Sequence, residues 1–338
     1  MIPRLYLLLF FLMPCTFFSF AQTIELLTSG QTVSIRGLCA VNDNIVWVSG
    51  SHGTVGRSLD GGKTWQWTIV KGFEKTDFRD IEAFNANTAI IMGIAEPAMI
   101  LKTIDGGDNW KVVFTDSTKG MFLDAMDFSD NKHGVVVGDP IDSKFYIAKT
   151  TNGGNTWRKT PGIMQSNAVA GEACFASSGS NIHYFRNKDF LFVSGGKLSR
   201  LHADTGGRLI PVIQGKESTG ANSIAVREDG PRVSNTFIIT GGDFTNDKDT
   251  TLNCVLTHDG GHTWMHPATP PHGYRSCVTY ISNKKLLCCG TSGVDLSTDS
   301  GNTWRLISTN GFHVCRIAKK GKTVFLAGSN GRVAKLVM

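Results

Sequence analysis

Apolar residues in this chain occur in short runs that are separated by glycine, asparagine, aspartate and serine. Residues 190–194, 323–327 and 332–336 are examples, and few segments show an apolar period long enough for a helix. The chain contains 38 glycines in 338 residues, which suits frequent tight turns. Short apolar runs bounded by turn residues are typical of β-strands. The pattern therefore predicts an all-β protein.

One eight-residue pattern recurs between these runs. Its first copy is Ser58-Leu59-Asp60-Gly61-Gly62-Lys63-Thr64-Trp65, and four further copies occupy residues 103–110, 150–157, 257–264 and 297–304. Asn109 replaces the threonine in one copy and Asn152 replaces the aspartate in another. The hydroxyl and carboxylate oxygens can accept hydrogen bonds from turn amides, the glycine permits positive φ, and the tryptophan buries a large ring. We expect the pattern to stabilise a hairpin turn and to have no catalytic role.

The spacing of the tryptophans predicts the number of repeats. The intervals are similar, except that Trp157 and Trp264 lie about two intervals apart. A degenerate turn at residues 204–207, with Leu209 in the tryptophan position, fills that gap. An N-terminal strand at residues 23–27 can complete the last repeat, which would leave no open sheet edge. We predict a seven-bladed β-propeller, with six or eight blades as alternatives, and blade limits of 34–70, 76–117, 120–162, 168–217, 220–269, 272–309 and 310–338.

The five turns resemble the Asp-box repeats of bacterial neuraminidases and sortilin-like propellers. Residues 78–81 and 90–93, followed by the turn at residues 103–110, are similar to the photosystem II assembly and stability factor branch of these propellers. The resemblance implies the architecture of the whole mature chain. It also implies that the Asp-boxes lie on the face opposite the functional mouth, and that members outside photosynthetic organisms are secreted or periplasmic. A shared fold does not establish a shared function.

The first 21 residues have the features of an export signal. Arg4 precedes an apolar run, and the segment ends in Ser19-Phe20-Ala21, which fits a cleavage site. We expect a signal peptide at residues 1–21 and a single propeller domain at residues 22–338, secreted or periplasmic. A lipoprotein alternative would use Cys15, although Pro14 fits lipidation poorly. No later apolar stretch is long enough to span a membrane.

Composition narrows the partner classes. The 34 basic and 28 acidic residues leave a mild positive excess without a basic run, which disfavours nucleic acid and leaves acidic partners open. Seven cysteines remain after the signal, and their scattered positions in apolar segments indicate buried small side chains more than a disulfide framework or a zinc site. We expect a monomer that holds neither a cofactor nor a metal.

The start of the first strand of each blade supplies the main candidate site. Aligning these starts places one side chain per blade in a single register: Arg36, Arg79, Leu123, Glu172, Asn222, Arg275 and His313. First strands line the central channel of a propeller, so we expect the polar members to form a ring near one mouth. Arginines and a histidine there would suit a carboxylate or phosphate group. The alternative is that these side chains pair with neighbouring carboxylates.

Loops between the middle strands supply a second candidate set around the same mouth, represented by His52, Glu96, Asp139 and Asp243. Two carboxylates facing the arginines could serve a glycoside hydrolase, if they flank one bond. The chain lacks the Arg-Ile-Pro segment of sialidases, and residues 50–56 are not a dinucleotide-binding motif. No catalytic residue is predicted, and a glycoside hydrolase is favoured over an oxidoreductase if the chain is an enzyme.

Two functional hypotheses follow. The first is a propeller that binds a protein or peptide through the channel mouth, as an assembly or folding factor. The second is a glycan-active enzyme or a lectin that uses the acidic loops, and an anionic small ligand fits either hypothesis.

Overall fold

The computed structural model describes residues 22–203, 206–227 and 234–337. Seven antiparallel sheets follow one another along the chain, and adjacent sheets pack face to face around a central channel. The seven-bladed propeller predicted from the repeats is confirmed. The predicted signal peptide, residues 1–21, lies outside the described residues, as do Asp204 and Thr205 of the degenerate turn.

Three regular blades come first, and each is a four-stranded meander that runs outward from the channel. Blade 1 contains Ile35–Ala40, Val46–Gly50, Thr54–Ser58 and Gln66–Ile69. Blade 2 contains Phe78–Ala83, Ala89–Gly93, Ala98–Thr103 and Lys111–Asp116. Blade 3 contains Leu123–Phe128, Gly134–Ile141, Lys144–Thr150 and Arg158–Lys159, and a short 3-10 helix, Gly162–Met164, follows it.

Blades 4 and 5 are less regular. Blade 4 contains Ile182–Tyr184, Phe190–Val193, Arg200–Ala203 and Gly206–Leu209. Blade 5 contains Thr219–Val226, Phe237–Asp243 and Cys254–Thr257, with a single outer bridge from Leu256 to Met265. Two short strands, Glu172–Ala173 and Gly195–Gly196, connect the blades by pairing with each other and with Gly220.

Blades 6 and 7 complete the ring. Blade 6 contains Cys277–Tyr280, Leu286–Gly290, Gly293–Ser297 and Arg305–Ser308. Blade 7 contains Val314–Ile317, Val324–Ala327 and Val333–Val337, and Thr23–Thr28 is its fourth and outermost strand. Residues 23 to 28 pair antiparallel with residues 333 to 337, so the predicted closure by the N-terminal strand is observed.

The hydrophobic core lies between neighbouring blades. Trp47 of blade 1 packs against Phe78 and Ile91 of blade 2, and Phe145 of blade 3 packs against Phe192 of blade 4. These side chains are almost completely removed from solvent. Each blade therefore buries its apolar faces against the next blade, as repeat stacking requires.

The repeated turns have the hydrogen bonds that their sequence predicts. The Ser58 hydroxyl accepts from the Gly62 amide at 2.8 Å, and the Asp60 carboxylate accepts from the Thr64 amide at 2.9 Å and the Thr64 hydroxyl at 2.6 Å. In the two altered copies the amides of Asn109 and Asn152 replace the lost groups: Nδ2 of Asn109 donates to Asp105, and Nδ2 of Asn152 donates to Thr156, both at 2.9 Å. The altered copies thus keep the cross-turn bond.

Strand direction places these turns. Consecutive strands of a meander alternate in direction, so the turn between the third and fourth strands lies at the end where the first strand finishes. We call this end of the propeller the turn face, and the end where the first strands begin the mouth face. The loops between second and third strands lie on the mouth face.

Candidate functional site

A β-bulge occurs near the start of the inner strand in four blades. The strand register shifts around Arg36, Arg79, Asp124 and Asn222, so each of these residues has no partner across the ladder. A bulge adds a residue and redirects its side chain, and bulges are common beside functional sites. The sequence alignment placed Leu123 in the position of Arg79, which is wrong by one residue. The bulged residue of blade 3 is Asp124, and Leu123 is a fully buried residue of the hydrophobic core.

Four cationic or imidazole side chains meet on the mouth face. We call Arg36, Arg79, His313 and Arg332 the arginine mouth. The charges of the three arginines all act on His313, and the charge of Arg79 acts on Arg36. The arginine mouth is therefore one electrostatic unit, drawn from blades 1, 2 and 7.

The arginines of this mouth are only partly neutralised. Arg79 Nη2 lies 3.4 Å from Asp77, whose side chain is 39% exposed, and the buried Nε of Arg79 has no hydrogen-bond partner. Arg36 Nη1 donates to the carbonyl oxygen of Ser177 at 3.2 Å, and Arg332 Nη1 donates to that of Gly311 at 3.1 Å. Arg79 thus pairs with a neighbouring carboxylate, as the alternative predicted, whereas Arg36 and Arg332 donate to main-chain carbonyl oxygens.

His313 is neutral at neutral pH. Burial and the charges of Arg36, Arg332 and Arg79 lower its pKa to about 4. Its Nδ1 lies 2.9 Å from the carbonyl oxygen of Ile35, and its Nε2 lies 3.3 Å from the Ser329 hydroxyl. Since a carbonyl only accepts, Nδ1 carries the proton and Nε2 can accept from Ser329. His313 therefore contributes a positioned imidazole to the mouth and no positive charge.

Two carboxyl groups lie deeper beside the mouth. Asp124 is fully buried, and burial with the neighbouring charge of Asp139 raises its pKa well above the usual range, although the charge of Arg79 and the amides of Ala176 and Asp139 act in the opposite direction. Burial also raises the pKa of Asp139 to about 6, although its Oδ1 accepts from the Cys174 amide at 2.9 Å. Burial therefore disfavours the charged form of both carboxyl groups.

A loop of blade 4 occupies the channel beneath the mouth. We call residues 175–181 the plug; they lie between the short strand Glu172–Ala173 and the inner strand Ile182–Tyr184. Its Ser177 hydroxyl donates to Asn222 Oδ1 at 2.9 Å, and the Tyr274 hydroxyl donates to Ser177 at 3.2 Å. The inner strand of blade 4 therefore begins about ten residues later than the sequence alignment placed it.

The plug reaches across the whole channel. Ser178 donates to the carbonyl oxygen of Ser276 in blade 6 at 2.7 Å, and its own carbonyl accepts from Arg316 of blade 7 at 3.0 Å. Gly179 adopts φ +64°, and a Cβ atom there would lie 2.3 Å from the Asp80 carboxyl carbon of blade 2. The channel is thus divided into two compartments and is not an open funnel.

Three polar residues of the predicted ring lie outside the arginine mouth: Asn222, which accepts from Ser177 of the plug, and Arg275 and Glu172. Arg275 is fully buried, and its guanidinium donates to Asp295 Oδ2, the carbonyl oxygens of Tyr274 and His272, and the Ser292 hydroxyl. Because these acceptors satisfy the donors of its guanidinium, Arg275 has a structural role within blade 6 and cannot share a ligand with Arg36.

Glu172 belongs to a separate buried network. Its carboxylate accepts from Arg200 and Ser194 and lies 3.1 Å from His202 Nε2, while His202 Nδ1 lies 2.7 Å from the Ser166 hydroxyl. Burial acts to raise the pKa of Glu172, but its bonds to His202 and Arg200 hold it at about 2. All members of this network except Arg200 are buried, so it stabilises the junction of blades 3 and 4.

The loop candidates do not converge. The His52 ring lies 3.3 Å from the carbonyl oxygen of Thr32, and Glu96 accepts from the Gly120 amide. Asp243 is buried and accepts from the amide and hydroxyl of Thr245. These bonds satisfy the side chains locally. In the described residues, no group of three or more His, Cys, Asp or Glu side chains is arranged to hold a metal.

Sequence reasoning missed Asp77, Arg332 and the plug. Asp77 immediately precedes the first strand of blade 2, and Arg332 lies in the loop between the second and third strands of blade 7. That loop was expected to surround the mouth, so its basic residue could have been included. The serine-rich plug has no apolar pattern and gave no signal of its burial.

A second compartment opens on the turn face. It is a cavity of about 820 Å³, lined by the ends of all seven inner strands, and we call it the turn-face cavity. Its deep wall includes Asp80, Ser180 and Arg316, and Glu82 and Lys319 pair at its side. The plug separates this cavity from the arginine mouth.

Comparison with known proteins supports the fold assignment. Residues 19–119 match the family model for the photosynthesis system II assembly factor YCF48. The solved structure titled "YCF48 bound to D1 peptide" superposes with a TM-score of 0.65 at 16% identity, covering 93% of this chain and 95% of that one. The resemblance predicted from the repeats is confirmed. This chain is a seven-bladed propeller that resembles YCF48.

Other structures extend this comparison. YCF48 from Cyanidioschyzon merolae gives a TM-score of 0.64 at 16% identity, with 93% of this chain and 98% of that one covered. The WD40 propeller domain of Doa1 gives 0.59 at 16% identity, with coverages of 93% and 97%. At these identities the likeness to YCF48 and Doa1 establishes the fold. No curated protein sequence matched the chain. Within the described residues, no helix is both long and apolar enough to cross a bilayer.

Proposed function

We propose that this chain binds a carboxylate-bearing segment of a partner protein at the arginine mouth, and that it acts as an assembly or folding factor. The observation that carries the proposal is the concentration of Arg36, Arg79 and Arg332 around the neutral His313, where the one carboxylate beside them, Asp77, is partly exposed and contacts Arg79. Guanidinium groups bind carboxylates with paired, charge-assisted hydrogen bonds. The Arg79 side chain is 29% exposed, so part of its guanidinium is accessible to such a group.

The arrangement of the mouth favours a peptide over a small enclosed ligand. The plug supports Arg36 from below, so a ligand would bind across the mouth face and would not enter the channel. A structure of YCF48, whose fold this chain shares, has been solved bound to a D1 peptide, which supports peptide binding as a use of this fold. The acidic character of the partner follows from the arginines alone.

The test compares capture by matched variants. Arg36→Gln/Arg79→Gln removes two charges at the mouth, and Arg158→Gln/Arg305→Gln removes two exposed arginines from outer strands. Proteins captured from the native cell envelope by the wild type are identified, and peptides from their acidic segments are titrated against all three proteins. Loss of two charge-assisted bonds should weaken peptide binding by the mouth variant by about tenfold or more. Added salt should weaken peptide binding by the wild type more than binding by the mouth variant.

Two results would contradict the proposal. Equal affinity of the mouth variant and the wild type would exclude the arginine mouth, and equal loss in the outer-strand control would indicate a non-specific charge effect. Thermal denaturation of each variant verifies that the fold is retained. A glycan array with the same proteins tests the lectin alternative. That alternative requires that the wild type binds a glycan and that the mouth variant binds it equally well.

We also propose that the chain is exported, which would give it access to envelope partners. Support comes from the sequence of residues 1–21 alone. Fractionation of cells that express the full chain or a form lacking residues 2–21 tests this. The full chain should appear outside the cytoplasm with its N-terminus near Gln22, and retention of both forms in the cytoplasm would contradict export.

A further inference from the structure

Three thiols meet beside the wall of the turn-face cavity. Cys277 and Cys289 lie directly opposite each other on adjacent strands of blade 6, and Cys315 belongs to the inner strand of blade 7. Cys277 Sγ lies 3.2 Å from the carbonyl oxygen of Cys315, and Cys315 Sγ lies 3.9 Å from the carbonyl oxygen of Cys277. All three are free and fully buried. We call them the thiol cluster.

Among the described residues, the cation Arg316 contacts Cys277 and neither of the other two sulfurs. Arg316 Nη1 donates to Cys277 Sγ at 3.1 Å, and the Ser180 hydroxyl donates to the same sulfur at 3.5 Å. Arg316 and Ser180 both line the turn-face cavity. Cys277 therefore lies one layer behind the cavity wall, and the two polar side chains that contact it form that layer.

The contacts distinguish Cys277 from its neighbours chemically. Burial by itself would raise the pKa of the Cys277 thiol, but hydrogen bonds from Cys289 and Cys315 and the charge of Arg316 hold it well below its usual range. Burial raises the pKa of Cys289 and Cys315 well above theirs. Of the three thiols, Cys277 is therefore the one whose ionised form is most favoured. A low-pKa nucleophile beside a resolving thiol is the arrangement found in oxidisable cysteine pairs.

We propose that Cys277 is a peroxide-oxidised thiolate and that Cys289 resolves it to a disulfide. The Cys277 thiolate attacks one oxygen of hydrogen peroxide, so an S–O bond forms, the O–O bond breaks and hydroxide leaves. This step oxidises the sulfur to a sulfenic acid and reduces the peroxide. The Cys289 thiol then attacks Cys277 Sγ, the S–S bond forms, and the sulfenic hydroxyl leaves with the thiol proton as water.

The strand geometry selects Cys289 as the resolving thiol. Residues directly opposite in an antiparallel pair have Cα atoms about 4.5 or 5.5 Å apart, and disulfides span Cα separations of about 4.4 to 6.8 Å. Side chains of such a pair also project from the same face of the sheet. The Cys277–Cys289 bond can therefore form without displacing a strand.

Disulfide formation has a consequence for the plug. Arg316 holds Cys277 through Nη1 and the Ser178 carbonyl through Nη2. Oxidation removes the negative charge opposite Arg316 and leaves the guanidinium with its bonds to main-chain carbonyl oxygens. We expect faster amide exchange in residues 175–181 of the oxidised protein.

Two other cysteines of the same chain are matched controls. Cys39 lines the turn-face cavity directly, but its sulfur contacts the Glu82 carboxylate at 3.9 Å, and burial raises its pKa to about 11. Cys174 is buried and donates to the carbonyl oxygen of Val193. Access alone would make Cys39 react first, whereas stabilisation of the thiolate by Arg316 makes Cys277 react first.

The experiment treats the reduced mature chain with graded hydrogen peroxide, blocks remaining thiols by alkylation and quantifies each cysteine by peptide mass spectrometry. We expect a Cys277–Cys289 disulfide while Cys39 and Cys174 stay alkylatable. Cys277→Ser should abolish it, and Cys289→Ala should leave a sulfenic acid at Cys277 that a 1,3-diketone traps. Arg316→Gln should slow the oxidation about tenfold or more, since each unit of thiol pKa changes the thiolate fraction tenfold.

Several outcomes would overturn the proposal. Oxidation of Cys277 no faster than that of Cys39 or Cys174 would exclude a special thiolate, and reaction only in denaturant would exclude access from the cavity. A Cys277–Cys315 bond would exclude Cys289 as the resolving thiol. The comparison among cysteines of the wild-type protein decides the question even if Arg316→Gln fails to fold.

Discussion

Arg36 donates a hydrogen bond to the carbonyl oxygen of Ser177, a residue 141 positions away in the chain. This bond joins the bulge of blade 1 to the plug from blade 4. The arginine mouth and the plug are thus directly connected. A change in the plug is therefore expected to alter the position of Arg36 in the mouth.

Gly179→Ala tests the seating of the plug. Alanine would have to adopt φ +64° and place its Cβ within 2.4 Å of the Asp80 carboxyl atoms. We expect destabilisation on the order of 1 to 3 kcal/mol and faster exchange of amides 175–181. Gly120→Ala is the control, because Gly120 has φ +81° with no atom within 4 Å of the added Cβ. Equal effects of both variants in denaturation and hydrogen exchange would argue against a tightly seated plug.

The buried Arg275–Asp295 pair predicts a large stability effect. Arg275→Met leaves Asp295 buried with His272 as its remaining ion-pair partner, and we expect a loss of about 3 to 5 kcal/mol in the free energy of unfolding. Arg36→Met, at the partly neutralised mouth, should cost much less. Replacing both partners, as Arg275→Met/Asp295→Leu, should recover part of the loss. Chemical denaturation measures all three, and a mild effect of Arg275→Met would mean that the pair contributes little.

His313 predicts a pH-dependent loss of stability. Its folded pKa of about 4 lies below the ordinary 6.5, so the unfolded chain binds a proton first as pH falls. Stability contributed by neutral His313 is therefore present above pH 6.5 and is lost progressively between pH 6.5 and 4, by about 3 kcal/mol. His313→Asn should remove this part of the pH profile of the unfolding free energy. Parallel profiles for the variant and the wild type would refute the assignment.

The repeated turns should differ in acid sensitivity. Hydrogen bonds from the side chain and amide of Thr64 lower the pKa of Asp60 to about 2, so its contribution is present above pH 4 and is lost as pH falls towards 2. The equivalent Asn152 does not titrate. Asp60→Asn should therefore flatten the acid limb of the thermal melting profile, and Asn152→Asp should steepen it. The two reciprocal changes serve as controls for each other.

The sequence predicts the propeller because its repeated turns are local. Every side-chain hydrogen bond of the Ser58–Trp65 turn connects residues within four positions, so a local sequence pattern is sufficient to predict the turn. The closing strand at residues 23–28 was predictable from the incomplete last blade.

The site depends on contacts that sequence spacing does not encode. Arg36 and Arg275 occupy the same position in their repeats, but only Arg275 has a buried aspartate, Asp295, twenty residues away on a third strand. A one-residue bulge moved Asp124 into the position assigned to Leu123. The plug could not be foreseen, because its serines are polar and become buried only through partners in four other blades.

The strand order of blade 7 has a consequence for biosynthesis. Among the described strands, Thr23–Thr28 is translated before the others, but the strand that it pairs with, Val333–Val337, is translated after them. Throughout translation this strand is an unpaired edge that could join the unfinished blade of a second chain. Ring closure is therefore the final folding event, and a nascent chain held at high local concentration is the state in which two molecules would exchange their first strands.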